Sequence, residues 1–410
     1  MVCGVTDTES KRPLRVAYLV THPIQYQAPL LRAIAAEPDI DLTVFFQSDI
    51  SLKPHTDAGF GVEIAWDVPL LDGYRSIILP ADGPTDRISF ARPRSRGLWD
   101  HLRRGAFDVL WIHGYARAYH LKAMVMARLL GIRVLIRDEA TLISKRRTWR
   151  NHLFKWGLML ALRGLCDEFL AIGSLNRAYY RFYGVPDERI VTVPYVVDND
   201  FFRQRATTAR AERPALRQSL GLEDGSPVIL FAAKMEPRKR PDHVLDAYAR
   251  FCRSTPGPHP YLLLAGDGVL RASLERRVAD EGLNRVRFLG FQNQGRLPAL
   301  FDLADVFVLP SVFEPWGLVV NEAMSAGTAV IISDAVGCGP DLVKEGVNGF
   351  VVPADDTDAL VRALESVVAK GDPAVVRAMG QASQAIINAW GIEAAVQGLR
   401  RALFPSKPCP

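Results

Sequence analysis

The sequence contains no long hydrophobic run. The longest plain apolar stretches, such as Val16–Val20 and Val306–Leu309, are far shorter than the roughly 20 residues that a membrane-spanning helix needs. The first residues of the chain are polar and mixed in charge, and the apolar stretch after them is too short for a secretory signal. We therefore expect a cytoplasmic protein without a transmembrane segment.

Cysteine is also scarce. The five cysteines, Cys3, Cys166, Cys252, Cys338 and Cys409, are odd in number and scattered, and none forms a CxxC pair. This pattern argues against a disulfide framework and against a structural zinc site. Charge of one sign is lacking too, since 50 basic and 45 acidic residues leave a net charge of only +5. A nucleic-acid partner is not expected from so small an excess.

Short apolar runs rich in β-formers alternate with longer helical patterns along the whole chain. Such alternation predicts parallel sheets covered by helices on both faces, and 410 residues exceed the usual size of a single core. The predicted strands are Arg15–Val20, Leu42–Phe46, Val109–Ile112, Val134–Ile136, Phe169–Ile172, Val228–Ala232, Tyr261–Leu264, Val286–Leu289, Val306–Leu309, Ala329–Ile332 and Gly349–Val352. The fold class is α/β, with two Rossmann-like doubly wound domains that face each other across a cleft.

The domain boundary is placed near residue 200. Residues 1–200 form the first domain and residues 201–385 the second, with an interdomain linker in the polar, Arg-rich stretch that runs from Val193 to Arg217. The tail from Ala385 to Phe404 has one apolar stripe and is predicted to be helical. The C-terminal helix, about residues 386–410, is expected to pack back on the first domain.

Two glutamates flank a predicted helix start in the second half. Glu314 precedes Gly317, where the helix begins, and Glu322 lies well inside that helix. A helix N-terminus presents free N–H groups and a positive dipole end to an anion, so a phosphate would fit there. The two carboxylates cannot serve the same atom, and we expect them to bind different parts of one long ligand. Alternatively, Glu322 is a solvated helix residue and Glu314 is a favourable charge near a helix start.

Two lysines follow the strand Val228–Ala232. Lys234 and Lys239 emerge from its carboxyl end, where two cations can neutralise the charge that develops on a pyrophosphate leaving group. The alternative for the cluster Arg238, Lys239 and Arg240 is a solvated loop, and for Arg238 this alternative stays open.

These features occur in one order with Gly337-Cys-Gly-Pro-Asp and Gly346-Val-Asn-Gly-Phe, and over about residues 228–353 the chain resembles the donor-binding half of glycosyltransferase family 4. The resemblance implies the GT-B fold and a retaining, metal-independent transferase. Its expected donor is a nucleotide diphosphate sugar, with UDP or GDP favoured over ADP, and its acceptor is a hydroxyl group. Polysaccharide, lipid-linked glycan or natural-product glycoside synthesis is the implied role.

The resemblance also implies roles for individual residues. Lys234, which stands where the family usually has Arg, and Lys239 would bind the donor diphosphate. Glu314 would contact the donor sugar, the backbone of Gly317 and Leu318 would hold phosphate, and Glu322 would bind the ribose hydroxyls.

Three more donor-site positions follow from the same resemblance. Gly266, in Gly266-Asp-Gly-Val, matches the glycine pair after the second strand of this domain, and Gly290 with Phe291 matches the loop that frames the base.

Candidate residues of the first half follow predicted strands. His22 and Gln25 lie after the first strand, where the family more often has a glycine-rich loop, so this sequence departs from the pattern. His113 follows another strand at the position where the family places a His beside the sugar and the acceptor. Asp138 and Glu139 follow the next strand and are weaker acceptor candidates. A structural role remains the alternative for each of them.

Residues 145–163 combine basic and aromatic residues with no acid. Such a segment is typical of peripheral contact with an anionic membrane. The alternative is a helix that packs its apolar face on the sheet and shows its basic residues to water.

The triplet Asp198-Asn-Asp200 resembles the metal signature of a different transferase fold. It lies in the predicted linker, where family 4 proteins often have an Asp before Phe, so we interpret it as a connector and expect neither a metal nor another cofactor.

Three alternatives to a transferase are compatible with the sequence. A sugar-nucleotide 2-epimerase would share the architecture and the donor site but lack an acceptor. The non-catalytic alternatives are a sugar-nucleotide sensor and a two-lobed solute-binding protein.

Overall fold

The structure is a computed structural model, which describes residues 12–57, 59–83, 88–143, 148–255, 259–369 and 372–405. The strands in these ranges are β1 Leu14–Val20, β2 Ile40–Phe46, β3 His55–Thr56, β4 Glu63–Ile64, β5 Arg75–Ile78, β6 Ala81–Asp82, β7 Arg94–Ser95, β8 Val109–His113, β9 Arg133–Arg137, β10 Glu168–Ala171, β11 Ile190–Thr192, β12 Val228–Ala232, β13 Tyr261–Ala265, β14 Val286–Gly290, β15 Val306–Leu309, β16 Ala329–Ser333 and β17 Gly349–Val352.

The α-helices in the same ranges are α1 Gln27–Ala35, α2 Leu98–Gly105, α3 Ala118–Leu129, α4 Trp149–Leu165, α5 Ser174–Phe182, α6 Asn199–Ala209, α7 Arg213–Ser219, α8 Pro241–Ser254, α9 Arg271–Asp280, α10 Leu297–Leu303, α11 Leu318–Ala326, α12 Gly339–Leu342, α13 Thr357–Leu364, α14 Pro373–Asn388 and α15 Ile392–Leu403. Within the part of the chain that the structure describes, none of these helices combines the length and the apolar character needed to cross a bilayer.

Two separate parallel sheets form the centre of the molecule. The first has the strand order β11-β10-β9-β8-β1-β2-β5, and the second has the order β14-β13-β12-β15-β16-β17. Helices cover both faces, so the central strands are buried on both sides and appear in sequence as continuous apolar runs. All eleven predicted strands are confirmed to within one or two residues. The edge strands β5 and β11 were not predicted, because they are short and only partly apolar.

The strand order reverses beside one central strand in each sheet. β1 lies between β8 and β2, and β12 lies between β13 and β15. In a doubly wound sheet, this switch point opens a crevice at the carboxyl ends of the strands. The loops after β1, β8 and β9 therefore meet those after β12 and β15.

The predicted linker is wrong in its second part. Residues 193–198 are extended, but the polar stretch after them forms α6 and α7, and α6 packs against α10 and α11 of the second sheet. Only Phe202 and Ala206 of α6 among the apolar residues are fully buried. So sparse an apolar face gives almost no periodic signal among the arginines.

The C-terminal tail is not one helix. α14 and α15 are separated at Gly391, and the predicted stripe is divided between two cores. Ile387 packs in the second domain, whereas Leu399 of α15 packs on the first sheet. Arg400 fixes α15 there through ion pairs with Glu37 and Asp39. Residues 406–410 of the expected tail lie outside the described residues.

Candidate functional site

A cavity of about 470 Å³ opens between the two sheets. Its volume lies within the range of small-molecule sites. The lining residues come from loops of both domains: Gln25, Tyr26, Asp57, Phe60, Trp66, Glu139, Tyr195, Ala232, Ala233, Lys234, Arg238, Lys239, Phe291, Gln292, Gln294, Leu297, Glu314, Pro315, Trp316, Gly317, Leu318, Val319 and Glu322. The structure thus brings together seven of the ten residues expected to serve in catalysis or donor binding: Lys234, Lys239, Phe291, Glu314, Gly317, Leu318 and Glu322.

The two lysines after β12 reach this cavity and are both paired there. Lys239 Nζ donates to Glu314 Oε2, and each side chain is only 12% exposed. Lys234 Nζ donates to Asp57 Oδ1 at 2.6 Å, across the cleft. Burial opposes ionisation of Asp57, but the hydrogen bonds from Lys234 and from backbone amides hold its pKa below the usual range. Local carboxylates therefore occupy the positions where an anionic ligand would be bound.

Arg238 also lines the cavity, so the solvated-loop alternative does not describe it. Its guanidinium lies 3.7 Å from Glu314 Oε2 and donates to Glu236 at 2.9 Å. Arg240 turns away and pairs with Asp242. The positive charge at the site is thus larger than the sequence indicated.

The N-terminus of α11 opens into the same cavity. Gly317 precedes the helix with φ of 97°, a left-handed conformation that a residue with a side chain adopts only with strain. The backbone amide of Gly337 donates to the carbonyl of Glu314 at 3.0 Å, which fixes the loop before the helix. Leu318 and Val319, the first two residues of the helix, both line the cavity, and the first N–H groups of a helix have no partner within it and can bind an anion.

Glu322 is a half-buried residue on the cavity wall, one turn inside α11. Its carboxylate makes no ion pair or side-chain hydrogen bond with the residues that the structure describes, and burial raises its pKa to about 8. A carboxylate without a partner at the wall of a cavity is suited to accept hydrogen bonds from ligand hydroxyls.

The loops after β13 and β14 border the other end of the cavity. Gly266 has φ of 133°, and a Cβ there would overlap the carbonyl oxygen of Ala233. The Gly266 amide donates to Gly290 O at 2.7 Å. Gly266 lines a smaller pocket that adjoins the cavity and shares Phe291 with it, whereas Gly290 is not among the lining residues of either. Phe291 is on the wall, with its ring 5.0 Å edge-on from Phe60 of the first domain.

The first domain contributes a polar network formed by Tyr195, Glu139 and His113. Tyr195 donates to Glu139 Oε1, and His113 Nε2 lies 3.6 Å from the same oxygen. Burial favours the neutral form of Glu139, but hydrogen bonds from His113 and Tyr195 and the charge of Arg137 lower its pKa. Glu139 borders the cavity, whereas His113 is not among the lining residues. His113 is connected to the cavity through its contact with Glu139.

The remaining candidates of the first domain differ in placement. Gln25 lies on the cavity wall, but His22 and Asp138 do not. His22 bonds Thr21 Oγ1 at 2.8 Å, and burial together with the charges of nearby histidines lowers its pKa to about 4. Asp138 accepts from the Ala140 amide at 3.0 Å, and burial raises its pKa.

No sequence pattern predicts the wall formed by Asp57, Phe60 and Trp66. These residues belong to the segment around the short hairpin β3–β4, which reaches over to the second domain. Asn293 Nδ2 donates to Ala65 O at 2.6 Å, and the ammonium of Lys234 lies 4.8 Å from the Phe60 ring centre. A two-residue strand pair without alternating apolar residues carries no detectable pattern.

The triplet around Asn199 has a structural role. Asp198 caps α6 by accepting from the Phe201 amide at 2.9 Å, and Asp200 pairs with Arg203. Among the described residues, no three histidine, cysteine or acidic side chains cluster as a metal site would require.

Solved structures with the same architecture define the class of fold. HepE of Anabaena, solved with UDP and glucose, superposes with a TM-score of 0.70 at 19% identity, over 95% of this chain and 99% of that chain. Sucrose-phosphate synthase of Thermosynechococcus elongatus has a TM-score of 0.70 at 21% identity, over 96% of this chain and 100% of that chain. The chain therefore has the GT-B fold, with two Rossmann-like domains.

Residues 212–385, which make up most of the second domain, match the family model for glycosyl transferases group 1. The alpha-D-kanosaminyltransferase of Streptomyces kanamyceticus is 28% identical over 250 residues, which cover 59% of this chain and 62% of that protein. The D-inositol 3-phosphate glycosyltransferase of Nocardia farcinica is 32% identical over 50% of this chain and 45% of that protein. The chain spans about half the length of the curated relatives it matches.

Proposed function

We propose that this protein is a retaining, metal-independent glycosyltransferase that moves a hexose-type sugar from a UDP- or GDP-sugar to a hydroxyl acceptor. One observation carries the proposal: Lys234, Lys239 and the N-terminus of α11 converge on one cavity between two GT-B domains. The family match of the second domain and the names of its relatives support sugar transfer. HepE, solved with UDP, favours UDP as the first donor to test.

In this proposal the donor lies along the second domain. Its diphosphate binds the amides at Gly317 and Leu318 and draws Lys239 and Lys234 away from their carboxylate partners. The ribose hydroxyls donate to Glu322, which has no ion-pair partner among the described residues. The base lies at the Gly290–Phe291 end, where the Phe60 ring of the first domain closes the pocket.

The reacting centre then lies between Glu314 and the polar network of Tyr195, Glu139 and His113 in the first domain. Glu314, released from Lys239, contacts hydroxyls of the donor sugar. Glu139 and Gln25 border the space left for the acceptor, and His113 holds Glu139 in place. The inositol phosphate named as the acceptor of one group of relatives supports a hydroxyl nucleophile.

The proposed reaction makes use of the positive charges at the site. The bond between the anomeric carbon and the β-phosphate oxygen breaks, and the acceptor oxygen bonds to the same face of that carbon. The acceptor proton passes to the departing phosphate oxygen, so configuration is retained and no enzymic nucleophile is needed. Lys234, Lys239 and Arg238 stabilise the negative charge that grows on the leaving group, which is the role a divalent cation has in other transferases.

The test compares Lys239→Ala with Arg250→Ala during incubation with UDP-glucose or GDP-mannose and a panel of sugar alcohols. Arg250 is a matched control, because it pairs with Asp358 on the outer surface. Lys239→Ala should lower nucleoside diphosphate release by about 100-fold without loss of fold, since Arg238 remains beside Glu314. Normal release by this variant would contradict the proposal, and an isomerised donor without release would indicate a 2-epimerase.

A further inference from the structure

Three aromatic side chains border the cavity without belonging to a hydrophobic core. Phe60 and Trp66 come from the first domain and Phe291 from the second, and all three lie on the cavity wall. The hydrophobic cores that the described residues form include none of them. Packing within either domain therefore does not account for their positions. Aromatic side chains in a cleft are suited to stack on a planar ligand such as a nucleobase.

The segment of residues 59–67, which carries two of these rings, is anchored on the second domain. Ala65 O accepts a hydrogen bond from Asn293 Nδ2 at 2.6 Å, and Asp67 Oδ2 accepts one from the Gly295 amide at 2.9 Å. Both donors lie in the loop that follows β14. The first domain is thus fastened to the loop that is expected to frame the base.

The ring of Phe60 is positioned from both sides of the cleft. Its backbone amide donates to Asp57 Oδ1 at 3.0 Å, and the same carboxylate oxygen accepts from Lys234 Nζ. The ring centre lies 5.0 Å from that of Phe291, and the Lys234 ammonium lies over the ring at 4.8 Å. One face of Phe60 is therefore covered by a cation, and it becomes available when Lys234 turns to a diphosphate.

A small slot adjoins the cavity at these two rings. Its volume is about 80 Å³, and it is lined by Phe60 and Phe291 together with small residues such as Ala233 and Gly266. A closed cavity of about 150 Å³ holds one benzene ring. The slot therefore takes part of one six-membered ring and has no room for the two fused rings of a purine.

Gln294 brings a carboxamide without a partner to the same cavity. The residue is only 7% exposed and lies on the cavity wall, three positions after Phe291. Its side chain makes no hydrogen bond with any other residue in the described ranges. A buried carboxamide needs partners for its N–H groups and its oxygen. The O4 and N3–H groups of uracil lie side by side and can satisfy both.

We propose that Phe60, from the first domain, determines which nucleobase the donor site accepts. The base enters the slot between Phe60 and Phe291, and Gln294 pairs with its edge. The slot admits the single ring of a pyrimidine and excludes a purine, which makes a uridine diphosphate sugar the donor class. This inference rests on the proposed function, because it requires a donor whose phosphates lie at Lys234.

The experiment measures the affinity of the full-length protein for UDP, GDP and inorganic pyrophosphate by calorimetry, in the wild type and in Phe60→Ala. The matched control is Phe90→Ala, which removes a 61% exposed ring of the same domain that is not on the cavity wall. If Phe60→Ala does not fold, Phe60→Leu takes its place, since leucine keeps apolar bulk but lacks a planar face.

The wild type and the control should bind UDP at least about tenfold more tightly than GDP, because the slot rejects the larger base. Phe60→Ala should weaken UDP binding about tenfold, since a stacked ring is lost, and it should leave pyrophosphate binding unchanged. An unchanged affinity of this variant for UDP, or tighter binding of GDP than of UDP by the wild type, overturns the inference and leaves the proposed function in place. Failure of the wild type to bind any of the three ligands would overturn the proposed function and this inference with it.

Discussion

Glu322→Gln should change the pH dependence of stability in a way that follows from its environment. Glu322 is surrounded by buried residues of α11 and has no ion-pair partner among the described residues. Burial raises its pKa to about 8 in the folded protein. Glutamine has the same shape and remains neutral, so it resembles the protonated glutamic acid.

The sign follows from which state binds the proton more tightly. The folded protein holds the Glu322 proton up to about pH 8, whereas the unfolded chain releases it near a pKa of about 4.3. The contribution of protonated Glu322 to the stability of the fold is therefore complete at low pH, and it is lost as the pH rises toward 8. Between pH 4.5 and pH 7 the wild type should lose about 3 kcal/mol through this group. This is an upper limit, because the residue borders an open cavity.

The assay is the midpoint of thermal unfolding at pH 5, 6, 7 and 8 for both proteins, with Glu393→Gln on the exposed side of α15 as the control. The advantage of Glu322→Gln should grow with pH and reach up to about 6 to 12 °C at pH 7. At pH 8 and above the same variant should lose part of its stabilisation by UDP, because only there does the wild type offer the ribose a charged acceptor. A difference that does not vary with pH would refute the assigned environment of Glu322.

Three further substitutions test other parts of the site. Asp57→Asn should tighten UDP binding by up to about fivefold in calorimetry, because Lys234 loses a competing carboxylate; weaker binding would contradict this competition. Gly266→Ala should lower the free energy of unfolding by about 2 kcal/mol or more, since the added Cβ overlaps the Ala233 carbonyl oxygen, and an unchanged melting midpoint would contradict that overlap. His113→Ala should slow transfer about tenfold while leaving the UDP-induced thermal shift unchanged; a lost shift would instead place His113 in donor binding.

The sequence predicts what is local and misses what depends on distant parts of the chain. The strands and the positions of Lys234, Glu314 and Gly317 can be predicted, because each depends on a short run of apolar residues and the loop that follows it. Asp57 has no such signal, since it meets Lys234 across 177 positions of sequence. The place of Arg238 stays open in the sequence for a similar reason, because the other domain decides whether a loop cation faces water or a cleft.

Helix boundaries show the same division. α6 was taken for a linker because only a few buried apolar residues, such as Phe202, interrupt its polar sequence. The tail was taken for one helix because Ile387 and Leu399 share an apolar stripe, although they pack in different domains. Sequence periodicity shows that a face is buried, but it does not show against which core.

The most direct measurement is the thermal stabilisation of the wild type and of Lys239→Ala by UDP, GDP and ADP, each in the presence of EDTA. A ligand that binds only the folded state raises the melting temperature, and a tighter ligand raises it more at the same concentration. We expect UDP or GDP to raise the melting temperature of the wild type without a divalent cation, and the shift to shrink in the variant. No shift with any of the three nucleotides, or a shift that requires added metal, would contradict a metal-independent nucleotide-sugar site in the cleft.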